Sequence, residues 1–369
     1  MVSPGARVAL GVPAPERSLR YGWVALLFAG GAALALGSTL VGSEPIAPSL
    51  VARVLLHELT AGAFGPVQCP SPSTVSCASV VTIVWDVRVP AILLAILVGA
   101  SLGLSGATLQ GVFRNPLADP YLLGLSSGAT VGVAIVLMLN VGLAYANLTL
   151  PLLAFVGALA TGGAILLAAR SPSSSIETLL LTGVALSAFL SAVLSLLLLY
   201  NPYRNLQVTY WLLGGLYGGT WDRDGIVFGG LLVGGALLAL YGRSLNLLQL
   251  GPEVAQSLGV DGRAVRVRLI LLSSFLTAIA VAFSGIIGFV GLVSPHVVRR
   301  LVGPDYRKVL PGSALVGATF LLVANDLSQL VIPDAILPVG IFTSFVGAPF
   351  FLYLLYRQRR VDTMGRGLG

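Results

Sequence analysis

Long apolar runs separated by short polar stretches make up the hydropathy pattern of this 369-residue chain. A helix that spans a bilayer needs roughly 20 mostly apolar residues, and ten such segments follow one another, several of them interrupted by Gly or Pro. We therefore predict an all-α integral membrane protein with about ten transmembrane helices and short loops. The predicted spans are 22–42, 89–110, 121–141, 150–169, 177–200, 224–243, 264–284, 286–302, 309–331 and 336–356.

The composition agrees with the bilayer as solvent. Hydrophobic residues make up 56% of the chain and charged residues 9%, which is more apolar surface than one soluble core can enclose. The first apolar run is longer than the core of a signal peptide, so we interpret it as a retained helix. The predicted organisation is a tail at 1–21, one membrane domain at 22–356 and a second tail at 357–369.

The distribution of Lys and Arg predicts the orientation, because these residues accumulate in the cytoplasmic loops of membrane proteins. With the N-terminus inside, 17 of the 21 fall at cytoplasmic ends, and only Arg53, Arg88, Arg204 and Arg223 fall in outer loops. We expect a multi-pass protein of the cell membrane, inner or plasma, with both termini cytoplasmic. The net charge of +7 then reflects topology, and no nucleic-acid partner is expected.

The first predicted outer loop, at about 43–88, is the longest. Its stretch from Ala47 to Leu59 is expected to form a short helix on the surface. Cys69 and Cys77 lie in the same loop, where an oxidising environment permits a disulfide. The sequence leaves open whether the two cysteines are bonded.

Two distant stretches share residues at one offset of 179 positions. The matches are Ser105-Gly106 with Ser284-Gly285, Pro116 with Pro295, and Gly124 with Gly303. The copies begin at the second and seventh spans, so they would have opposite orientations in the membrane. Inverted repeats are common in transporters, because two such halves can alternate access to one central path.

A polar stretch from Gln110 to Ala129, QGVFRNPLADPYLLGLSSGA, lies between the second and third spans. Burying its charges in lipid would be costly, so we predict a cytoplasmic turn. Its segment from Gly124 to Gly128 also fits G-x-S-x-G, which in serine hydrolases follows a strand and precedes a helix. We interpret these small residues as helix-packing contacts; an intramembrane protease that uses Ser126 or Ser127 is an alternative.

The inner loop after the sixth span contains a second informative stretch, within the cytoplasmic segment 244–263. Gly251-Pro252-Glu253 is typical of a helix start, and Gly259 would end that helix after two turns. Such a short amphipathic helix needs packing to be stable. It either packs on its own bundle or docks into the groove of a partner.

The chain lacks the residues for nucleotide or metal chemistry. A P-loop ends in Gly-Lys-Ser/Thr, whereas the single lysine, Lys308, lies between Arg307 and Val309. We predict no cofactor in this chain and no enzymatic activity of its own. Asp326 is the one carboxylate expected inside a span, as a capping or network-bonded residue. Because ion-coupled carriers use intramembrane acids, a proton- or sodium-coupled carrier stays an alternative, as does a passive channel.

The motifs resemble the permease subunits of ABC importers for ferric siderophores, haem and vitamin B12, the FecCD type, over about residues 85–357. The matching stretches are 110–129, 248–260, 284–303 and 337–355. The resemblance implies a homodimer with the substrate path along its axis. It also implies two cytoplasmic ATPase subunits that bind ATP and Mg, and an extracytoplasmic protein that delivers an iron chelate, haem or cobalamin.

The resemblance carries over to particular residues of this sequence. It assigns contact with the ATPase to Gly251, Pro252, Glu253, Ala255, Leu258 and Gly259, and binding-protein docking to Arg88. Scaffold roles fall to Gln110, Arg114, Asn115, Pro116, Gly124, Gly128, Gly288, Gly291, Pro295, His296, Arg299, Pro338, Gly340, Gly347 and Pro349. Three positions depart from the family pattern on the outer side, where this chain has Ala91, Gln329 and Ile336.

Overall fold

The computed structural model describes residues 22–63, 65, 67, 76–168, 176–216, 218–332 and 337–366, and this part of the chain consists of α-helices joined by short connections. We number the helices α1 Gly22–Ser38, α2 Pro48–Leu59, α3 Cys77–Phe113, α4 Leu125–Leu139, α5 Ala146–Ala168, α6 Ile176–Tyr200, α7 Asn205–Leu212, α8 Trp221–Leu240, α9 Gly242–Gln249, α10 Pro252–Ser257, α11 Gly262–Ser284, α12 Val290–Val302, α13 Tyr306–Leu330 and α14 Val339–Arg366.

The all-α membrane class is confirmed, and each of the ten predicted spans overlaps one helix. Within the described residues, α3, α5, α6, α8, α11 and α13 are long and apolar enough to cross a bilayer. Three apolar helices are shorter, namely α1, α4 and the Val339–Leu354 part of α14. The 13-residue helix α12 completes the set.

Helix α3 begins twelve residues before the predicted start of its span. The apolar run that predicted this span starts after Asp86 and Arg88, and a proline such as Pro90 is common in the first helical turn. Instead, the residues from Thr82 to Arg88 form a π-helical turn, in which the amide of Val89 bonds to the carbonyl of Val84. The wider turn lets one helix continue past the proline.

The surface helix expected between Ala47 and Leu59 is present as α2. Its Val51 and Val54 are buried against Val80 and Val84 of α3. Cys77, the first residue of α3, is disulfide-bonded. The other cysteine of the chain, Cys69, lies outside the described residues, as do the predicted tail at 1–21 and Ile336.

Helix α3 forms the centre of the bundle and packs against α8, α11, α12 and α13. Glycines allow these helices to approach closely. A Cβ at Gly99 would lie 2.3 Å from the carbonyl oxygen of Gly317, and one at Gly106 would lie 1.9 Å from that of Gly291. At the periphery, only 6% of the residues in the most apolar part of α6 are buried, compared with 67% of those in α11.

The residues matched by the sequence repeat lie in different local structures. Gly106 is inside α3, whereas Gly285 ends α11 with a positive φ of 67°. Pro116 lies in the turn after α3, whereas Pro295 lies inside α12. The backbone does break in both stretches, but at different positions relative to the matches. Identical residue types serve two purposes, because glycine permits both close packing and a left-handed backbone.

The C-terminal tail expected from residue 357 is helical as far as Arg366, because α14 continues beyond its predicted end at 356. The segment contains no glycine before Gly365 and no proline. Arg, Gln and Met have good helix propensity, so the helix extends beyond its apolar part.

Candidate functional site

A hydrogen-bonded network joins four helices at the end of the bundle where α3 terminates. Arg299 of α12 donates from Nη1 to Oε1 of Gln110, 2.7 Å away, and its guanidinium lies 5.7 Å from the centre of the Tyr306 ring. Gln110 donates in turn from Nε2 to the carbonyl oxygen of Gly291 at 3.3 Å. Gln110 is buried, so these bonds satisfy polar groups that water does not reach.

The same network reaches the segment that contains α9 and α10. Gln249, the last residue of α9, donates to the carbonyl oxygen of Gly111 at 2.9 Å. Asn246 donates to Asp305 at 2.7 Å and accepts from the amide of Tyr306 at 2.9 Å. The stretches around Gln110, Gly251 and Arg299, which are far apart in the chain, therefore meet at one end of the molecule. The sequence did not predict α9, although its buried residues Leu245 and Leu248 have helical spacing.

Replacing Gln110 with leucine is expected to destabilise the subunit by about 1–3 kcal/mol, because Arg299 and the carbonyl of Gly291 each lose a hydrogen-bond partner in a buried place. Thermal unfolding of the purified subunit in detergent measures this loss. Gln256→Leu, at an exposed position of α10, is the matched control and should leave the unfolding temperature unchanged. Equal unfolding temperatures of both variants and the wild type would contradict a stabilising network.

Asp305 caps the N-terminus of α13 by accepting from the amide of Arg307. The hydrogen bonds from the Arg307 guanidinium, followed by the bond from Asn246, hold the pKa of this carboxyl well below its usual range. A carboxyl whose pKa is depressed in the folded state stabilises the fold above the pKa of free aspartate, about 4, and this contribution declines as the pH falls further. The difference in unfolding temperature between wild type and Asp305→Asn should therefore shrink below about pH 4. A difference that stays constant from pH 7 to pH 3 argues against this role.

The turn after α3 has the geometry of a helix end followed by two local caps. Arg114 is exposed and adopts a left-handed backbone with φ 49°. Asn115 accepts from the amide of Leu117, and Asp119 accepts from the amide of Tyr121, both at 2.9 Å. Pro116 is exposed beside them. These bonds explain why the polar residues of the turn occur in this order.

The G-x-S-x-G stretch is a helix-packing site. A Cβ at Gly128 would lie 2.3 Å from the carbonyl oxygen of Gly157, so α4 and α5 touch there through their backbones. Gly124 precedes α4 with a φ of 65°, after a 3₁₀ turn. The ring of His57 contacts the carbonyl of Gly65, and that of His296 packs on Phe350 at 5.5 Å. The close contact at Gly128 is the one that the helix-packing interpretation predicts.

The predicted short helix is confirmed as α10, with Gly259 ending it at φ 80°. Ala255 is fully buried in the main hydrophobic core. Val254 and Leu258, one helical turn apart, are 42% and 57% exposed, and Leu250, which ends α9 before the non-helical Gly251, is 61% exposed. Glu253 is also exposed. Helix α10 thus packs on its own bundle through one side and presents an apolar stripe on another.

The backbone between α11 and α12 is non-helical from Gly285 to Phe289. Helix α14 lies against this turn, because a Cβ at Gly340 would be 3.1 Å from the carbonyl oxygen of Ile286. At Gly347 a Cβ would lie 2.2 Å from the Phe289 ring. No atom lies within 4 Å of the position of a Cβ at Gly288.

Besides Pro116 in the turn after α3, the prolines of the scaffold occupy two kinds of place. Pro295 and Pro349 lie inside α12 and α14. Pro338 is buried just before α14, and its carbonyl accepts from the amide of Ile341 at 3.2 Å. Each therefore shapes a helix or its beginning.

Arg88 is not presented at the surface as expected for a docking residue. It is 6% exposed, and its guanidinium donates to the carbonyl oxygens of Thr39, at 3.1 Å, and Glu44. These bonds hold the connection between α1 and α2. Ala91 and Gln329, two positions that depart from the family pattern, line the same cavity of about 180 Å³ as Arg88. The structure thus brings together three outer positions that were singled out separately.

Two carboxylates, the half-buried Asp326 and the buried Asp224, lie at this other end of the bundle. Asp326 accepts a hydrogen bond from Ser38 at 2.6 Å, which confirms it as a network-bonded residue. Asp224, in the first turn of α8, is 4% exposed, and neither of its carboxylate oxygens has a hydrogen-bond partner among the residues that the structure describes. The bundle therefore buries a second carboxylate, at the start of the sixth predicted span, besides the one expected inside a span.

Comparisons with known proteins agree with this arrangement. The model of the FecCD transport family matches residues 26–357. The chain is 39% identical to the cobalamin import system permease protein BtuC of Halobacterium salinarum, an alignment that covers 90% of this chain and 95% of the relative. It is 42% identical to the hemin transport system permease protein HmuU of Yersinia pestis, over 75% and 84%. A solved inward-facing structure of a metal-chelate type ABC transporter is similar with a TM-score of 0.70 and 32% identity, covering 84% of this chain and 98% of that one.

Proposed function

Because the chain belongs to the FecCD transport family, we propose that it is the membrane permease subunit of an ATP-driven importer. The observation that carries this proposal is the exposed apolar stripe on α10, in a chain that lacks a P-loop of its own. A second chain would hydrolyse ATP with Mg, and its groove would receive the stripe. Two such ATPase subunits would serve two permease subunits.

The construction of α10 suits the transmission of force. Its buried side, at Ala255, fastens it to the core, and the bond from Gln249 to Gly111 fastens the preceding α9 to the end of α3. A partner that displaces the stripe would therefore displace the central helix of the bundle. We infer that nucleotide-driven closure of the ATPases switches the path from outward- to inward-open in this way.

A second copy of the chain is the proposed neighbour of α6. This helix is long and apolar, but only 6% of the residues in its most apolar part are buried within the subunit. Its exposed residues include Ser191 and Ser195, whose hydroxyls bond to the backbone of their own helix. Hydroxyl-bearing side chains suit the wall of a polar path better than contact with lipid. We propose a homodimer with the path along its axis.

The proposed orientation places both termini and the Gln110 network in the cytoplasm of a cell-membrane protein. The support is electrostatic, since the basic residues Arg114, Arg299, Arg300 and Arg307 all lie at or next to that end. The disulfide-bonded Cys77 lies at the opposite end of α3, as expected of an oxidising compartment. An extracytoplasmic binding protein would deliver cargo there.

The proposed cargo is an iron chelate, such as a ferric siderophore or haem, or cobalamin. The support is that relatives are named for cobalamin, hemin, iron chelatin and Fe(3+)-citrate transport. These compounds share bulk and a chelated metal ion, which a wide path at a dimer axis would accommodate.

The deciding experiment reconstitutes the permease with its ATPase in vesicles and screens binding proteins loaded with each of the three cargo classes. Uptake should require ATP, and one loaded binding protein should stimulate ATP turnover. Uptake that proceeds without nucleotide, and is lost in Asp326→Asn, would instead indicate an ion-coupled carrier.

A further inference from the structure

The non-helical turn from Gly285 to Phe289 is strained as well as irregular. Gly285 has φ 67° and ψ −160°, a conformation that is essentially restricted to glycine. Phe289 has φ 68°, which is an outlier for a bulky aromatic residue. Strained residues persist only where the surrounding structure holds them, and they concentrate at switch regions. Some element of the bundle must therefore hold this turn in place.

That element is Tyr121, which lies 166 positions earlier in the chain. Its hydroxyl donates to the carbonyl oxygen of Ile287 at 3.0 Å and accepts from the amide of the same residue at 3.2 Å. One side chain thus pairs both polar groups of a residue at the middle of the turn. Within the bundle, where backbone groups have little water to bond with, such pairing is what makes a broken helix tolerable.

Tyr121 belongs to the polar stretch that begins at Gln110. Its own position is set by the 3₁₀ turn Pro120–Leu123, which Asp119 caps. Gln110, from the same stretch, bonds to the carbonyl of Gly291 just beyond the turn. The first break in the helices therefore supplies the side chains that stabilise the second.

The surroundings of the turn leave space on one side and firm contacts on the other. A cavity of about 260 Å³ lies beside it, lined by Trp211, Ser284 and Gly285 among others. On another side α14 touches the turn at Gly340 and Gly347. A change in the turn would move α12 and α14 together, and the cavity would accommodate the displaced groups.

We propose that Tyr121 is a positioning residue that sets the conformation of a hinge at Gly285–Phe289, and that releasing its two hydrogen bonds is a step of the transport switch. The proposal rests on the proposed transport function. Its logic is that a strained turn whose middle residue is hydrogen-bonded by a single hydroxyl has two arrangements, one bonded and one relaxed, which an external force can select.

The test uses a reporter at Gly288, whose Cβ position is open and whose φ is not in the positive range. The Gly288→Cys permease is assembled with its ATPase in vesicles, and the labelling rate by a membrane-permeant maleimide is measured with and without nucleotide. The permease without the introduced cysteine gives the background. Tyr121→Phe, which keeps the ring, is added to the reporter. Tyr203→Phe, at a tyrosine that is 98% exposed, is the matched control.

We expect Tyr121→Phe to raise the nucleotide-free labelling rate about thirtyfold, the effect of losing two ordinary hydrogen bonds, and to lower uptake per ATP hydrolysed. Tyr203→Phe should change neither. Backbone hydrogen exchange of the peptide that covers 285–289, measured on the folded protein, is a second readout. Exchange should be faster in Tyr121→Phe and unchanged in Tyr203→Phe.

Unchanged labelling and exchange in Tyr121→Phe, in a complex whose wild type shows ATP-driven uptake, would overturn the hinge and leave the transport function standing. Altered labelling and exchange in a complex that shows no ATP-driven uptake would support the hinge and contradict the transport function. The two proposals therefore fail separately.

Discussion

Replacing Val254 with arginine is expected to reduce ATP-driven uptake at least tenfold while the membrane subunit stays folded. Val254 is exposed one helical turn from Leu258 in the apolar stripe of α10, and a charge there would have to be buried without a partner in the ATPase groove. Such burial costs several kcal/mol, and each 1.4 kcal/mol corresponds to a factor of ten in binding. Uptake and ATP hydrolysis by the reconstituted complex measure the effect, and gel filtration reports the fold.

Gln256→Arg is the control, because Gln256 is exposed on the same helix but lies away from the stripe. Uptake by this variant should stay near that of the wild type. Ala255→Arg does not serve as a coupling variant, since Ala255 is fully buried and an arginine there would disrupt the core. Normal uptake by Val254→Arg in a well-assembled complex would remove α10 as the coupling element.

Replacing Gly106 with alanine is expected to destabilise the subunit by about 2 kcal/mol or more. The added Cβ would lie 1.9 Å from the carbonyl oxygen of Gly291, and the obstacle is backbone, which no rotamer change can remove. Helices α3 and α12 would have to separate, and overpacking of this kind typically costs 1–3 kcal/mol. Thermal unfolding of the purified subunit followed by tryptophan fluorescence measures the loss.

Gly163→Ala is the matched control for this prediction. Gly163 lies inside α5, and a Cβ there would meet no atom within 4 Å. The same substitution should therefore be neutral or stabilise by about 0.5–1 kcal/mol, because alanine favours the helix over glycine. Similar unfolding temperatures for the two alanine variants would show that the α3–α12 contact is looser than the structure has it.

The sequence predicted the features that depend on neighbouring residues. The Gly-Pro-Glu start and the Gly259 end located α10 because they act within one turn of helix. The early start of α3 was missed, because the apolar run begins only after Asp86 and Arg88, whereas the helix already includes the π-helical turn at Thr82–Arg88. Helix α9 was missed because eight residues carry too little periodicity to stand out from a loop.

The sequence did not predict contacts between residues that are far apart in the chain. Arg88 was expected at the surface because it lies in the predicted outer loop at about 43–88. In the fold, the α1–α2 connection surrounds its guanidinium. Tyr121 gave no signal at all, since its importance comes from Ile287, and only the packing of its 3₁₀ turn against α11 brings the two together.

The sequence by itself determined the membrane class, the ten helical segments and the position of the short helix α10. These follow from hydropathy, charge and capping, which act over a few residues. Only the tertiary structure decided which residues of the stretch from Gln110 to Ala129 hydrogen-bond to the strained turn at Gly285–Phe289. It also decided which side of α10 is exposed. Those properties depend on which backbone groups and side chains meet across helices, and one chain's pattern does not encode such meetings locally.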